Sequence, residues 1–294
     1  MNQPLTTVGD RAVRYWLIAP AVFVILLIGL YPLIQLFATS VQNITMFEED
    51  RSFQGFVHYA RLWNDDRLWQ AIGHTALITL IALPLELILG LAMAFLFLED
   101  LPLKRVLVAL LVLPTVIAPI VAGSIWRLVL DHRFGPMNQV LGWIAGREVK
   151  LLWTIEPHLV WPAILMAEGW QWTPFMFLIL LAALANVDRE QLEAAEIDGA
   201  SWWLTFRKLV LPAIWPVMAV ALLIRGLDLV RVFDVIWTMT QGGPGTATET
   251  ISIYAYQMAF REFEVSYSAA IALLVILSLT ALLLLMLRRL ELQR

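Results

Sequence analysis

The chain contains no cysteine, which excludes a disulfide framework, a thiolate metal site and a cysteine nucleophile. Charge is scarce too. Asp, Glu, Lys and Arg make up 15% of the 294 residues, against about a quarter in an average soluble domain. No Gly-x-x-x-x-Gly-Lys-[Ser/Thr] run is present, so the chain has no phosphate-cradling loop of its own. The histidines are His58, His74, His132 and His158, and none lies in a His-Glu-x-x-His pattern. That argues against a zinc site, and the lack of Gly-x-Ser-x-Gly argues against a hydrolase. A net charge of −4 without any Lys/Arg run argues against nucleic acid as a partner. No internal period of 20–50 residues suggests a solenoid or propeller.

What is abundant is apolar length. With 60% hydrophobic residues, the chain holds six apolar segments, at 15–38, 74–98, 105–130, 159–185, 209–237 and 267–287. Each approaches or exceeds the roughly 20 residues needed to cross a bilayer. The expectation is an all-α, polytopic membrane protein with six transmembrane helices. The first apolar stretch is longer than the 7–15 residues of a cleaved signal, so it reads as a retained span. Prolines 162, 174, 212 and 216 interrupt the fourth and fifth segments, which neighbouring helices can tolerate. Placing both termini (1–14 and 289–294) in the cytoplasm gives that side ten Lys/Arg against seven outside, in agreement with the positive-inside bias. Loops 39–73, 131–158 and 238–266 are then external. Six tryptophans, Trp16, Trp63, Trp69, Trp143, Trp153 and Trp161, fall where an interfacial aromatic belt is expected.

The cytoplasmic segment 188–212 carries the most organised polar pattern. Asp188 can cap a helix, with Gln191 three residues on as in a capping box. Gly199 is placed to end that helix in the left-handed conformation, and Ser201 to cap a second one running toward Pro212. Ala194 and Ala195 leave a low-relief surface. Glu193, Glu196 and Asp198 give it an acidic edge.

At this segment the chain resembles a known family. Glu193-Ala194-Ala195, then Gly199, then Leu211-Pro212 are similar to the "EAA" signature of binding-protein-dependent transport permeases; the family's usual Ile is Leu209 here. Phe233-Asp234-x-Ile236, Met239-Thr240-x-Gly242-Gly243-Pro244, Thr250 and Ala259-Phe260 resemble the maltose-type sugar permeases. So do Phe53-x-Gly55-Phe56, Tyr59, Trp69-x-Ala71 and Thr75, without the large external insertion and extra N-terminal spans of the maltose protein itself. The resemblance implies a type I ABC importer permease fold in the inner membrane, with 188–212 as a cytoplasmic coupling helix for an ATPase. Glu193, Ala194, Ala195, Asp198 and Gly199 would be the coupling residues. It further implies a second homologous permease, two ATPase subunits that bind ATP and Mg, an external solute-binding protein, and a sugar or polyol as substrate. No cofactor is expected in this chain.

Charge inside a span is costly and normally faces a bundle interior or a wet cavity. The fifth segment holds Arg225, Asp228, Arg231 and Asp234 at intervals of three. Neighbours on a helix, they read either as a ladder of ion pairs or, for Arg225 and Asp228, as solute contacts. Arg231 and Asp234, with the Gly242-Gly243-Pro244 loop, read as structural or gating. In the fourth segment Glu168, Gln171 and Trp172 share one helical face, with Trp170 beside them. An acidic acceptor, an amide and an aromatic plate suit a sugar or polyol, although glue between helices is the alternative. Glu86 shows no evident partner and reads as a structural hydrogen bond. Two other functions stay open on the residues alone: an ion-coupled transporter acting by itself, and a non-transporting scaffold.

Overall fold

The computed structural model describes residues 8–45, 47 and 49–291, so the ends of both expected cytoplasmic tails lie outside the described residues. Among the described residues the architecture is all-α apart from one small hairpin. The chain divides into two compact units, residues 1–64 with 255–280, and residues 65–254 with 281–294.

In the first unit, α1 (Val8–Ser40) carries the first apolar segment and leaves it exposed over residues 15–35. The expected external loop holds an antiparallel hairpin of β1 (Gln42–Ile44) and β2 (Glu49–Phe53) followed by α2 (Val57–Trp63). Ile44 N donates to Ser266 Oγ at 2.8 Å. Arg61 pairs with Glu264 and lies 4.0 Å from the centre of the Tyr267 ring.

In the second unit, α3 (Asp66–Leu96) is capped by Asp65, whose carboxylate accepts from Arg67 N and Leu68 N. Next come α4 (Lys104–Val116), α5 (Pro119–Val129), α6 (Pro136–Ala145) and α7 (Pro157–Ala185). Proline opens α5, α6 and α7, where its missing N–H would be unsatisfied in any case. The third segment, expected as one span over 105–130, is therefore two helices bent by 101°. The reason is local: Pro119 pushes Ala118 out of the helical region, to ψ 135°.

After α8 (Arg189–Ile197) and α9 (Trp202–Thr205), the turn Phe206–Val210 is a π-helix. It leads into α10 (Leu211–Val230), just ahead of Pro212, whose ring and missing N–H spoil the regular ladder. The fifth segment, expected to run to 237, instead stops at Val230, and α11 (Asp234–Thr240) starts afresh. The last helices, α12 (Ile251–Phe260) and α13 (Val265–Glu291), contribute residues to both units. Among the described residues five helices are long and apolar enough to cross a bilayer, with α4 and α5 supplying a sixth if a bent pair counts as one.

Both breaks free backbone carbonyls that lipid cannot satisfy. The Ile117 carbonyl accepts from Gln171 Nε2 at 2.8 Å, and the Val232 carbonyl from Thr250 Oγ1 at 3.1 Å. Two apolar clusters fill the unit, one around Ile78, Ile164, Leu229 and Ile236, the other around Ala94, Phe177, Leu180 and Ile214. Trp153 and Trp161, expected in an interfacial belt, belong to the first cluster. Trp153 is 9% exposed and donates to Asn138 Oδ1 at 2.9 Å, whereas Trp16, Trp63, Trp69 and Trp143 are exposed.

α3 and α7 pack together through Gly90. A methyl group added there would lie 2.7 Å from Met176 Cβ and 2.9 Å from the Phe177 nitrogen, while one at Gly73 of the same helix meets nothing within 4 Å. Gly90→Ala should therefore destabilise by about 1–3 kcal/mol through overpacking, whereas Gly73→Ala should gain up to about 1 kcal/mol from helix propensity. Thermal unfolding in detergent checks this. Equal midpoints would refute the close approach.

Candidate functional site

Three charged side chains meet at the seam between the two apolar clusters. Glu86 comes from α3, Glu168 from α7 and Arg225 from α10; they are 0%, 1% and 2% exposed. On each helix the charged residue lies between residues of one cluster and residues of the other. Arg225 Nε donates to Glu86 Oε2 at 2.7 Å and Nη2 to Glu86 Oε1 at 2.9 Å, a planar fork on a carboxylate. The same Nη2 also donates to Glu168 Oε1. The guanidinium carbon lies 4.7 Å from the centre of the Trp172 ring, within cation–π range.

Of the ladder expected along the fifth segment, the Asp228–Arg231 pair forms, but Arg225 is drawn elsewhere. Residues three apart fall about 60° short of a full turn, so Arg225 faces α3 and α7 while the later charges rotate away. Asp228 accepts from Arg231 at 2.5 Å, and the Arg231 side chain is 68% exposed. Asp234 lies beyond the helix break, in the first turn of α11. The partner that Glu86 lacked in the sequence is Arg225.

A cavity of about 240 Å³ opens beside this triad. Glu168, Trp172, Arg225, Asp228, Arg231 and Asp234 line it, together with Pro119 and Phe233. The face expected at Glu168, Gln171 and Trp172 is divided. Glu168 and Trp172 reach the cavity, but Gln171 is fully buried and caps the bend between α4 and α5. Trp170 turns the other way, edge-to-face on Trp126 at 6.0 Å. Among the described buried side chains, Glu168 Oε2, Gln171 Oε1 and Thr173 Oγ1 have no hydrogen-bond partner.

The Gly242-Gly243-Pro244 loop is held on itself. Gly243 N donates to Thr240 O at 2.9 Å, and Thr248 Oγ1 donates to Gly243 O at 2.8 Å. Five residues past Pro244, the 2%-exposed Glu249 takes a two-pronged contact from Arg67, both distances 2.9 Å. Tyr254 donates to Asp65 at 2.5 Å. The sequence reading missed Glu249, because its partner lies 182 residues away and no spacing announces it.

At the other end of the second unit, α8 is built as its residues dictate. Asp188 Oδ1 accepts from Glu190 N at 3.0 Å. Gly199 has φ +72°, and Ala200 N reaches back to Ala195 O at 2.9 Å, closing the helix in the left-handed manner. Ser201 Oγ accepts from Leu204 N at 3.4 Å. No residue of α8 is fully buried. Leu192 leans on the second apolar cluster, Glu193 and Ala194 are exposed, and Ile197 is 86% exposed. Trp202 and Trp203 follow, 67% and 61% exposed. α8 is thus an acidic, low-relief helix flanked by uncovered apolar side chains.

A profile of the family described as binding-protein-dependent transport system inner membrane component matches residues 86–292. The trehalose/maltose transport system permease of Thermococcus litoralis is 34% identical over 84% of this chain and 83% of its own. The sulfoquinovosyl glycerol transport system permease of Agrobacterium fabrum is 31% identical over 90% and 85%. The trehalose transport system permease of Mycobacterium tuberculosis is 32% identical over 90% and 84%. Among solved structures, a bacterial ABC transporter involved in import of the acidic polysaccharide alginate superposes with a TM-score of 0.78 at 22% identity, over 96% of this chain and 97% of that one.

Proposed function

Because this chain belongs to the binding-protein-dependent transport family of inner membrane components, we propose that it is one permease subunit of an ATP-driven importer for a sugar or polyol. The observation that carries the reading is the capped, acidic and uncovered helix α8 ending at Gly199. It stands at the far end of the bundle from the Arg67–Glu249 pair, in agreement with cytoplasmic and external sides assigned from Lys/Arg bias. The substrate class is supported by what the similar permeases are named for, trehalose, maltose and sulfoquinovosyl glycerol. The cavity supports it too, since it sets carboxylate acceptors beside aromatic rings.

In this mechanism α8 docks on one ATPase, and a homologous permease presents an equivalent helix to a second. ATP and Mg are held by those ATPases. Their closure brings the two coupling helices together and opens the path outward, where an external binding protein delivers solute; hydrolysis resets it. Each ligand drives the cycle only by favouring one state. At about 240 Å³ the cavity is below the roughly 300 Å³ of a complete small-molecule pocket, as fits a path whose other wall the partner permease supplies.

The lack of cysteine makes a direct test possible. Ile197→Cys should react with a membrane-impermeant maleimide only from the cytoplasmic side. Co-expression of the ATPase subunits should slow that labelling by about tenfold or more, as burial in an interface requires. Labelling from outside the cell, or labelling indifferent to the ATPase, would refute the docking role.

A further inference from the structure

The similar proteins handle solutes of opposite chemistry. Trehalose and maltose carry no charge, whereas alginate is acidic and a sulfoquinovosyl group bears a sulfonate. The lining of the cavity separates these classes. It holds three carboxylates, Glu168, Asp228 and Asp234, and two guanidinium groups, Arg225 and Arg231. Both cations are already engaged. Arg225 is 2% exposed and clasped by Glu86 and Glu168, and Arg231 donates to Asp228.

Acceptor capacity, by contrast, is left over. Glu168 is 1% exposed and lines the cavity, yet its Oε2 has no hydrogen-bond partner. A buried acceptor in that condition is costly unless something donates to it. A carboxylate can only accept, and a hydroxyl group can donate. A carboxylate, sulfonate or phosphate entering the same space would face like charge in poorly screened surroundings.

We infer that this subunit's wall of the path selects uncharged, hydroxyl-bearing solutes and turns anionic ones away. Glu168 Oε2 takes a hydrogen bond from a solute hydroxyl, Trp172 and Phe233 offer apolar surface to its C–H face, and Asp234 supplies the negative field. The inference rests on the sugar or polyol reading above and narrows it.

The test compares glycerol, glucose, maltose and trehalose with their carboxylated counterparts, as uptake by the complete importer in proteoliposomes. Wild type is expected to carry at least one neutral solute about tenfold or more faster than its carboxylate, the ratio that a modest like-charge repulsion produces. Asp234→Asn removes one exposed carboxylate without touching the buried triad, and should narrow that ratio about threefold or more. Because the external receptor is the same in both preparations, the change in ratio reads the permease. A carboxylate carried as fast as its neutral counterpart, or a ratio unmoved by Asp234→Asn, would overturn the inference alone. Failure of every neutral solute to cross would overturn the sugar or polyol reading and the inference with it.

Discussion

Arg225→Met is expected to be the most damaging single substitution in the membrane-embedded part of this protein. It would leave Glu86 and Glu168, 0% and 1% exposed, facing each other with no cation between them. Removing one member of a buried ion pair costs about 3–5 kcal/mol, a large share of the roughly 5–15 kcal/mol that holds a typical domain folded. Yield of monodisperse protein in detergent, and its unfolding midpoint, should both collapse. Arg225→Lys should recover only part of the loss, since an ammonium is a point charge and cannot reproduce the planar fork on Glu86. Adding Glu86→Gln and Glu168→Gln to Arg225→Met should restore much of it, because the stranded charges disappear together. If Arg225→Met alone is as stable as wild type, the three helices are not joined through this triad.

Gly199→Pro should cost transport rather than folding. Gly199 sits at φ +72°, which proline, locked near −65°, cannot adopt. The substitution also deletes the Gly199 N–H that donates to Glu196 O. The closing turn of α8 would open, and the acidic face carrying Glu193 and Asp198 would lose its orientation. Because α8 has no fully buried residue, insertion and thermal stability should change little. ATP-driven uptake should fall by about a hundredfold, in line with the cost of misplacing a working element by an ångström or so. ATPase co-purification should fall with it. Gly199→Asn should retain most activity, since asparagine visits the left-handed region more readily than other residues bearing a Cβ. Normal uptake by the proline variant would remove α8 from the coupling pathway.

The two sites differ in how far they could be read from the chain. The α8 region was legible nearly residue by residue, with Asp188, Gly199 and Ser201 all acting as caps. The bend at Ala118–Pro119 could have been read the same way, because a residue before proline avoids the helix. The long apolar run around it masked the signal. The charges of the fifth segment misled for a different reason. Their spacing of three is compatible with pairing along the helix, and one such pair, Asp228–Arg231, does form. Arg225 instead found carboxylates 139 and 57 residues away, with charge-assisted bonds no i,i+3 contact could match in a dry interior. Gln171 was likewise drawn from a supposed solute face to a backbone carbonyl 54 residues distant.

The apolar, membrane-spanning character of the segments and the caps of α8 therefore follow from the chain alone, for each depends on hydropathy summed over one segment or on groups within a turn of one another. Which of the buried charges pair, which side chains satisfy the carbonyls freed at Ile117 and Val232, and which carboxylate oxygen is left without a partner depend on how the helices are rotated about their axes. That rotation is decided only when surfaces such as Gly90 against Met176 and Phe177 come into contact, and close packing of that kind leaves no trace in residue spacing.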